Sequence, residues 1–387
     1  MIHYIGVDDT AIDLFEGQYR VPEGISYNAY FIDDAKTCAV DTVDARFTDE
    51  WAGKLRAALG GRPLDYLVTH HLEPDHSAGL TLALREWPQC RIVCTKKAAE
   101  MLPQFADGGE ALRARTETVG DGSRIALGAH TLRFVTAPMV HWPEVAMSYD
   151  EATGTLFSAD AFGKFGARCH EPQDWDCEAR RYYFNIVGKH GHAVSLLLDK
   201  AESLDIKRIC PLHGPELEGV LTPYVERYRT WSAYEPESRG VFIACCSMHG
   251  RTMQAARELA AMLAGRGVAT ALSDLARDDM HEAVEDAFRY DRMVLCAPSY
   301  DGRVMPAMED FLCHLRAKTY RKRRVALVEN FSWAPSAART MRAYLAELQD
   351  IDVVEPAVSI RTRLDDASRR ALAGLADVLA GTGEGKD

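Results

Sequence analysis

The chain has 387 residues, 47% hydrophobic and 26% charged, a composition that suits two or three soluble domains with real cores. Its 45 basic and 57 acidic side chains leave a formal charge of −12, which argues against a nucleic-acid binder. No apolar run approaches the ~18 residues of a membrane span, and MIHYIGVDDTAIDLFEG, with four acids and no Lys or Arg, does not resemble a targeting peptide. A cytoplasmic protein is expected.

From the start of the chain, YNAYFID, TCAVDT, LDYLVTH, CRIVCT, HTLRFVTA, EVAMSYD and TLFSAD read as strands. TDEWAGKLRAAL, SAGLTLALREW and AVSLLLDKAESL carry helical spacing. The mixture suits a mixed-sheet sandwich with outer helices. SAYEPESRG at 232–240 is polar, holds Pro236 and Gly240, and reads as a linker between residues 1–235 and 240–387. Beyond it, VFIACC (241–246), VATALS (268–273), RMVLCA (292–297), RVALVE (324–329) and DVVEPAVS (352–359) alternate with helical stretches. Short apolar strands in that rhythm form a parallel sheet covered on both faces, a doubly wound domain of flavodoxin size.

Ten cysteines contain no C-x-x-C, so rubredoxin-type and ferredoxin-type centres are excluded. Cys245, Cys246 and Cys296 read as small buried apolar residues. The densest chemistry lies in THHLEPDHSAG at 69–79, an H-x-E-x-D-H run of His71, Glu73, Asp75 and His76, with Ser77 opening a helix. Such a cluster cannot be buried without partners, and alternate side chains of one loop can serve two cations. His141, Asp160 and His213 each follow an apolar strand and complete a set of four His, two Asp and one Glu.

This constellation resembles the metallo-β-lactamase fold, whose usual motif is H-x-H-x-D-H and whose usual metal is zinc. Glu73 stands in place of the second His, and a harder carboxylate donor favours iron. With the flavodoxin-like half, and with SYNAYFI at 26–32 and EARRYYFNI at 178–186, the whole chain resembles the flavodiiron proteins. The resemblance implies an N-terminal αββα sandwich holding two irons, one on His71, Glu73 and His141, the other on Asp75, His76 and His213, bridged by Asp160. Leu212 departs from the family's small polar residue. Tyr182 or Tyr183 is a candidate proton donor or packing residue.

CSMHGRT at 246–252 links a strand to a helix and offers Ser247, Met248, His249, Gly250, Arg251 and Thr252 to a phosphate monoester. An ordinary turn capped by Ser247 or Thr252 is the alternative reading. Two more loops follow parallel strands, where such sheets bind ligands: Pro298, Ser299, Tyr300, Asp301 and Gly302, and then Asn330, Phe331, Ser332, Trp333 and Ala334. Together the three resemble the flavodiiron FMN site, with His249 and Arg251 replacing an aromatic and a small polar residue. KTYRKRRV (318–325) reads as a solvated turn or as a docking patch for an acidic donor.

The function implied is reduction of dioxygen to water, nitric oxide to nitrous oxide, or both, at a diiron site. Electrons would pass through FMN from an external donor such as a rubredoxin or a reduced deazaflavin- or NADH-linked reductase. The family's head-to-tail homodimer, or a dimer of dimers, would bring one subunit's FMN to the other's iron. Alternatives are a dizinc hydrolase fused to a flavodoxin-like domain and a non-catalytic electron carrier.

Overall fold

Short apolar strands pair into three six-stranded sheets in the computed structural model, which describes residues 1–170 and 174–381. Packing divides the chain into two units, Met1–Ser232 and Ala233–Asp387.

The first unit holds two sheets. One contains β1 (Ile2–Tyr4), β2 (Tyr30–Ile32), β3 (Cys38–Val40), β4 (Tyr66–Val68), β5 (Arg91–Thr95) and β6 (Thr116–Val119), adjacent in that order. The other contains β7 (Arg124–Ala126), β8 (Thr131–Thr136), β9 (Ala146–Asp150), β10 (Thr155–Phe157), β11 (Arg208–Cys210) and β12 (Leu217–Glu218). Alternate residues of the two sheets meet in one core: Tyr30, Ile32, Val40, Val68 and Val93 pack with Leu132, Phe134, Phe157 and Cys210. The intervening Phe31, Ala39, Leu67 and Ile92 are buried as well, so the first sheet is covered on both faces. Helix Thr48–Leu59 buries Trp51, Ala52, Leu55 and Leu59 along one stripe and stops at Gly60, whose φ of 57° is the left-handed cap that glycine accepts readily.

In the second unit, β13 (Ser238–Cys245), β14 (Thr270–Asp274), β15 (Tyr290–Tyr300), β16 (Arg323–Phe331) and β17 (Ile351–Arg361) are parallel, in the order β14-β13-β15-β16-β17. That is the flavodoxin-like order. Helices Arg251–Ala264 and Asp366–Ala380 pack on one face through Ala256, Leu259, Leu372 and Leu375, against Ile243, Val294, Val328 and Ile360. The opposite strand residues, Phe242, Ala244, Met293 and Leu295, are equally buried. Cys245, Cys246 and Cys296 lie in this sheet region as buried thiols whose pKa is pushed up by burial.

Four local readings of the sequence differ from the structure. YNAYFID is two strands, because Asn28 leaves the sheet: its Nδ2 donates to the carbonyls of Pro211 and Gly214, both at 2.8 Å, and its N–H to that of Leu212. The helix expected from Ser77 begins at Pro74 and breaks before Leu80, where Gly79 lies so close to Thr42 that a Cβ would meet the Thr42 Cβ at 2.8 Å. Arg239 and Gly240 belong to β13 rather than to a linker, since the Gly240 N–H donates to Asp291 Oδ1 and a Cβ there would strike the Tyr290 ring. KTYRKRRV is a turn into β16, but Arg323 is buried, donating to the Tyr234 carbonyl, and Arg324 pairs with Asp352.

Asn28→Ala leaves two buried carbonyls unpaired and is expected to cost roughly 2–4 kcal/mol in urea unfolding. A loss below 0.5 kcal/mol, on the order of one weak hydrogen bond, would show that these bonds do not hold the 211–214 loop.

Candidate functional site

All seven expected ligands converge, from loops at the carboxyl ends of β4, β8, β10 and β11. Asp41, just after β3, anchors the loop that leaves β4: its Oδ1 accepts the His70 N–H at 2.7 Å and its Oδ2 lies 2.6 Å from His70 Nδ1. His70 is thereby turned away toward Ser148, and His71 is left to face the site. Pro74 at the first helical position then winds Asp75 and His76 into one turn, and Thr42 binds the His76 carbonyl through both N–H and hydroxyl. Asp160 follows Ala159, a non-glycine residue at φ 50°, and the Leu212 N–H donates to the Ala159 carbonyl, tying the Asp160 loop to the His213 loop.

The side chains form two groups, His71 with Glu73 and His141, and Asp75 with His76 and His213. In the first, Glu73 Oε2 lies 3.1 Å from His71 Nε2 and 3.2 Å from His141 Nε2. In the second, His76 Nε2 lies 3.1 Å from Asp75 Oδ2 and 3.0 Å from His213 Nε2. Asp160 touches both. Its Oδ2 is 3.5 Å from His71 Nε2 and 3.6 Å from His141 Nε2, while its Oδ1 is 3.6 Å from His76 Nε2 and 3.5 Å from His213 Nε2.

Burial by itself would push these carboxyls up and these imidazoles down, but the facing charges outweigh it. Asp160 is held well below the usual carboxylate range by His76 and His71, and Asp75 and Glu73 are lowered by their histidines. His71 is raised to about 10 by Glu144 and Glu73, and His76 well above its ordinary value by Asp75 and Asp160.

Sequence reasoning missed several supports. Glu144, fully buried in APMVHWPE, sets its Oε1 2.8 Å from His71 Nδ1 and accepts the Leu72 N–H. The Ser26 carbonyl lies 2.7 Å from His213 Nδ1, so backbone rather than the side chain at Leu212 orients that histidine. SYNAYFI was the visible signal for Ser26 and Asn28; nothing in the sequence set Glu144 apart from other acids. Of the two tyrosines, Tyr182 donates to Asp160 Oδ1 at 2.9 Å, whereas Tyr183 packs among Phe184, Tyr228 and Trp231.

In the second unit, the three expected loops surround a cavity of about 360 Å³. Every expected residue lines it except Gly250, which takes the helix N-cap position at φ 81°. Neither Ser247 nor Thr252 makes a side-chain cap on that helix, and Ser247 Oγ is buried without a hydrogen-bond partner among the described residues. Pro298, Ser299 and Tyr300 belong to β15 itself, which folds back through Asp301 and Gly302, both at positive φ, onto Arg303–Val304. Asn330 and Phe331 likewise end β16. Tyr300 is 42% exposed and Trp333 89% exposed, so neither is a core residue.

Pro335, Ser336, Arg339 and Thr362 complete the walls. Ser299 Oγ accepts the N–H groups of Ser336 and Ala337, and Asn330 exchanges two hydrogen bonds with the Thr362 backbone. Thr362 lies directly after the last strand, β17.

The family model for the ODP family beta lactamase matches residues 25–214, from β-strand Ile25–Tyr27 to the residue after His213. The anaerobic nitric oxide reductase flavorubredoxin of Vibrio vulnificus (strain YJ016) is 27% identical over 374 residues, covering 94% of this chain and 74% of that protein. Its counterpart from Escherichia coli (strain SMS-3-5 / SECEC) is 27% identical over 357 residues, covering 89% and 74%. The flavodiiron protein from Giardia intestinalis superposes with a TM-score of 0.91 at 24% identity, over 98% of this chain and 94% of that one. Rubredoxin oxygen:oxidoreductase from Desulfovibrio gigas gives 0.90 at 23%, over 98% and 96%. An ODP-type β-lactamase domain over residues 25–214, followed by a flavodoxin-like domain and with relatives along nearly the whole length, makes this chain similar to the flavodiiron proteins in sequence and in fold.

Proposed function

We propose that the chain is an oxidoreductase that reduces dioxygen to water, nitric oxide to nitrous oxide, or both, with two irons in the first unit and FMN in the second. The observation that carries this is Asp160, a buried carboxylate whose two oxygens face different three-ligand groups. The names of the relatives, a nitric oxide reductase and a rubredoxin oxygen:oxidoreductase, favour redox chemistry over hydrolysis.

The residues fit the groups they are proposed to hold. Donor atoms about 2.1 Å from one cation sit about 3.0–3.4 Å apart, close to the separations within each group. Both oxygens of Asp75 and Oδ2 of Asp160 are buried without a hydrogen-bond donor among the described residues, an arrangement that favours cations. Glu73 makes the set richer in hard oxygen donors than an all-histidine site, which favours iron over zinc. The cavity of about 360 Å³ is in the range of small-molecule sites, and the unpartnered Ser247 hydroxyl suits a phosphate oxygen.

Bound in these places, a pair of irons supplies reducing electrons to a diatomic gas and FMN supplies their entry from an outside donor. The chain's own residues position. Glu144 accepts from Nδ1 of His71, and the Ser26 carbonyl from Nδ1 of His213, so both present the Nε2 lone pair to the site. Trp142 packs edge-on against His71 and Phe15 against His213, keeping bulk water from the histidines. Tyr300 and Trp333 stand at the flavin cavity, where their rings are available to stack. A rubredoxin or a deazaflavin- or NADH-linked reductase is the proposed donor, the cytoplasm the proposed location and a head-to-tail homodimer the proposed assembly. No helix among the described residues is long and apolar enough to cross a membrane.

Protein from iron-replete cells is expected to carry about two irons and one FMN per chain, and the anaerobically reduced enzyme should turn over dioxygen or nitric oxide when each is supplied separately. Two zincs with flavin-independent hydrolysis, or no turnover with either gas, would overturn the proposal. Asp160→Asn should lower iron content more than a surface Asp→Asn change, because an amide bridges two cations poorly; full iron and full turnover would remove Asp160 from the bridge. Ser247→Ala with Thr252→Ala should raise the Kd of FMN at least about tenfold, each charge-assisted bond contributing roughly 1.5–3 kcal/mol. Unchanged flavin occupancy at low free FMN would move the phosphate elsewhere.

A further inference from the structure

We propose that the two cation positions are unequal, and that Glu144 and Tyr182 make them so. The position on His71, Glu73 and His141 binds its cation more tightly and fills first; the position on Asp75, His76 and His213 fills last. The inference rests on the cation-pair reading of the site and goes beyond it.

The inequality lies in what stands behind each donor. In the first group, His71 gives its Nδ1 hydrogen to the fully buried carboxylate of Glu144 at 2.8 Å. A carboxylate behind an imidazole raises the basicity of the opposite nitrogen, and loss of such a support typically costs about 10–100-fold in metal affinity. The Asp160 oxygen facing this group, Oδ2, accepts no hydrogen bond among the described residues, so its lone pairs are free for a cation.

The second group lacks both advantages. His213 is backed by a neutral carbonyl, that of Ser26, and Nδ1 of His76 is buried with no hydrogen-bond partner among the described residues. The Asp160 oxygen facing it, Oδ1, already accepts the Tyr182 hydroxyl at 2.9 Å. A hydrogen bond to a carboxylate oxygen withdraws electron density from it and occupies one of its lone-pair directions, leaving a weaker donor. Tyr182 is therefore a positioning residue: it acts on the cation through Asp160.

The test is titration of the metal-free full-length chain with cobalt(II), followed by calorimetry and by visible absorption. Two steps are expected, the first at least about tenfold tighter. His141→Ala should remove the tight step and His213→Ala the weak one. Glu144→Gln should weaken the tight step about 10–100-fold and leave the other in place. Tyr182→Phe should tighten the weak step and narrow the gap. Two equal steps, or loss of the weak step in His141→Ala, would refute the inequality while leaving the cation pair standing. Absence of any cobalt binding would instead refute the cation pair itself. Should Glu144→Gln fail to fold, as judged by circular dichroism, Tyr182→Phe decides: an unchanged gap overturns the proposal.

Discussion

Three carboxylates and four imidazoles share one largely buried volume in the first unit, with only Glu73 and His141 partly exposed, and the rest of that unit is arranged around this constraint. Buried charges persist only when each faces an opposite charge or a cation. Here the facing is reciprocal, with every carboxylate within 3.6 Å of an imidazole nitrogen. Such density needs side chains delivered from several directions, and the two sheets provide them: loops leave β4 in one sheet and β8, β10 and β11 in the other. Non-glycine residues with positive φ, among them Met139 and Ala159, sit where these loops turn. Backbone is bent there to aim side chains, at a cost that the surrounding hydrogen bonds offset.

The second unit solves a different problem with the same device. Loops at the carboxyl ends of parallel strands leave a crevice where the strand order reverses, and here they are tied to one another rather than left free. Ser299 holds the start of helix Ala337–Leu345, Ser336 Oγ donates to the Arg303 carbonyl, and Glu329 accepts both the Ala338 N–H and the Ser359 hydroxyl. The walls are thus formed before any ligand enters, and little ordering entropy remains for a ligand to overcome.

Much of this was legible in the sequence because it is local. H-x-E-x-D-H is a contiguous run, and strand-loop-helix rhythm alone gave the five parallel strands and the loops that bind between them. What was not legible depends on partners far away in the chain. Glu144 is one acid among many until folding sets it against His71. Tyr182 and Tyr183 are neighbours of the same type, and only helix geometry sends one hydroxyl to Asp160 and the other ring into an aromatic cluster. Gly240 looked like linker glycine, yet its small size is needed where β13 passes the Tyr290 ring. The polar look of KTYRKRRV concealed Arg323, whose buried guanidinium donates through Nη1 to the carbonyls of Tyr234 and Arg321 inside the second unit.

The scatter of the ligands along the chain also bears on how the first unit reaches its native state. His71 and His213 belong to different sheets, so their site exists only after both sheets have formed and docked. Contacts this distant in sequence form late, because long loops must close first. A cation that binds the finished site and not the open chain draws the population toward the native state by mass action. Metal supply would then act as a checkpoint on maturation: chains synthesised in metal-poor cells would persist longer as incompletely docked sandwiches, exposed to proteolysis, before any question of turnover arises.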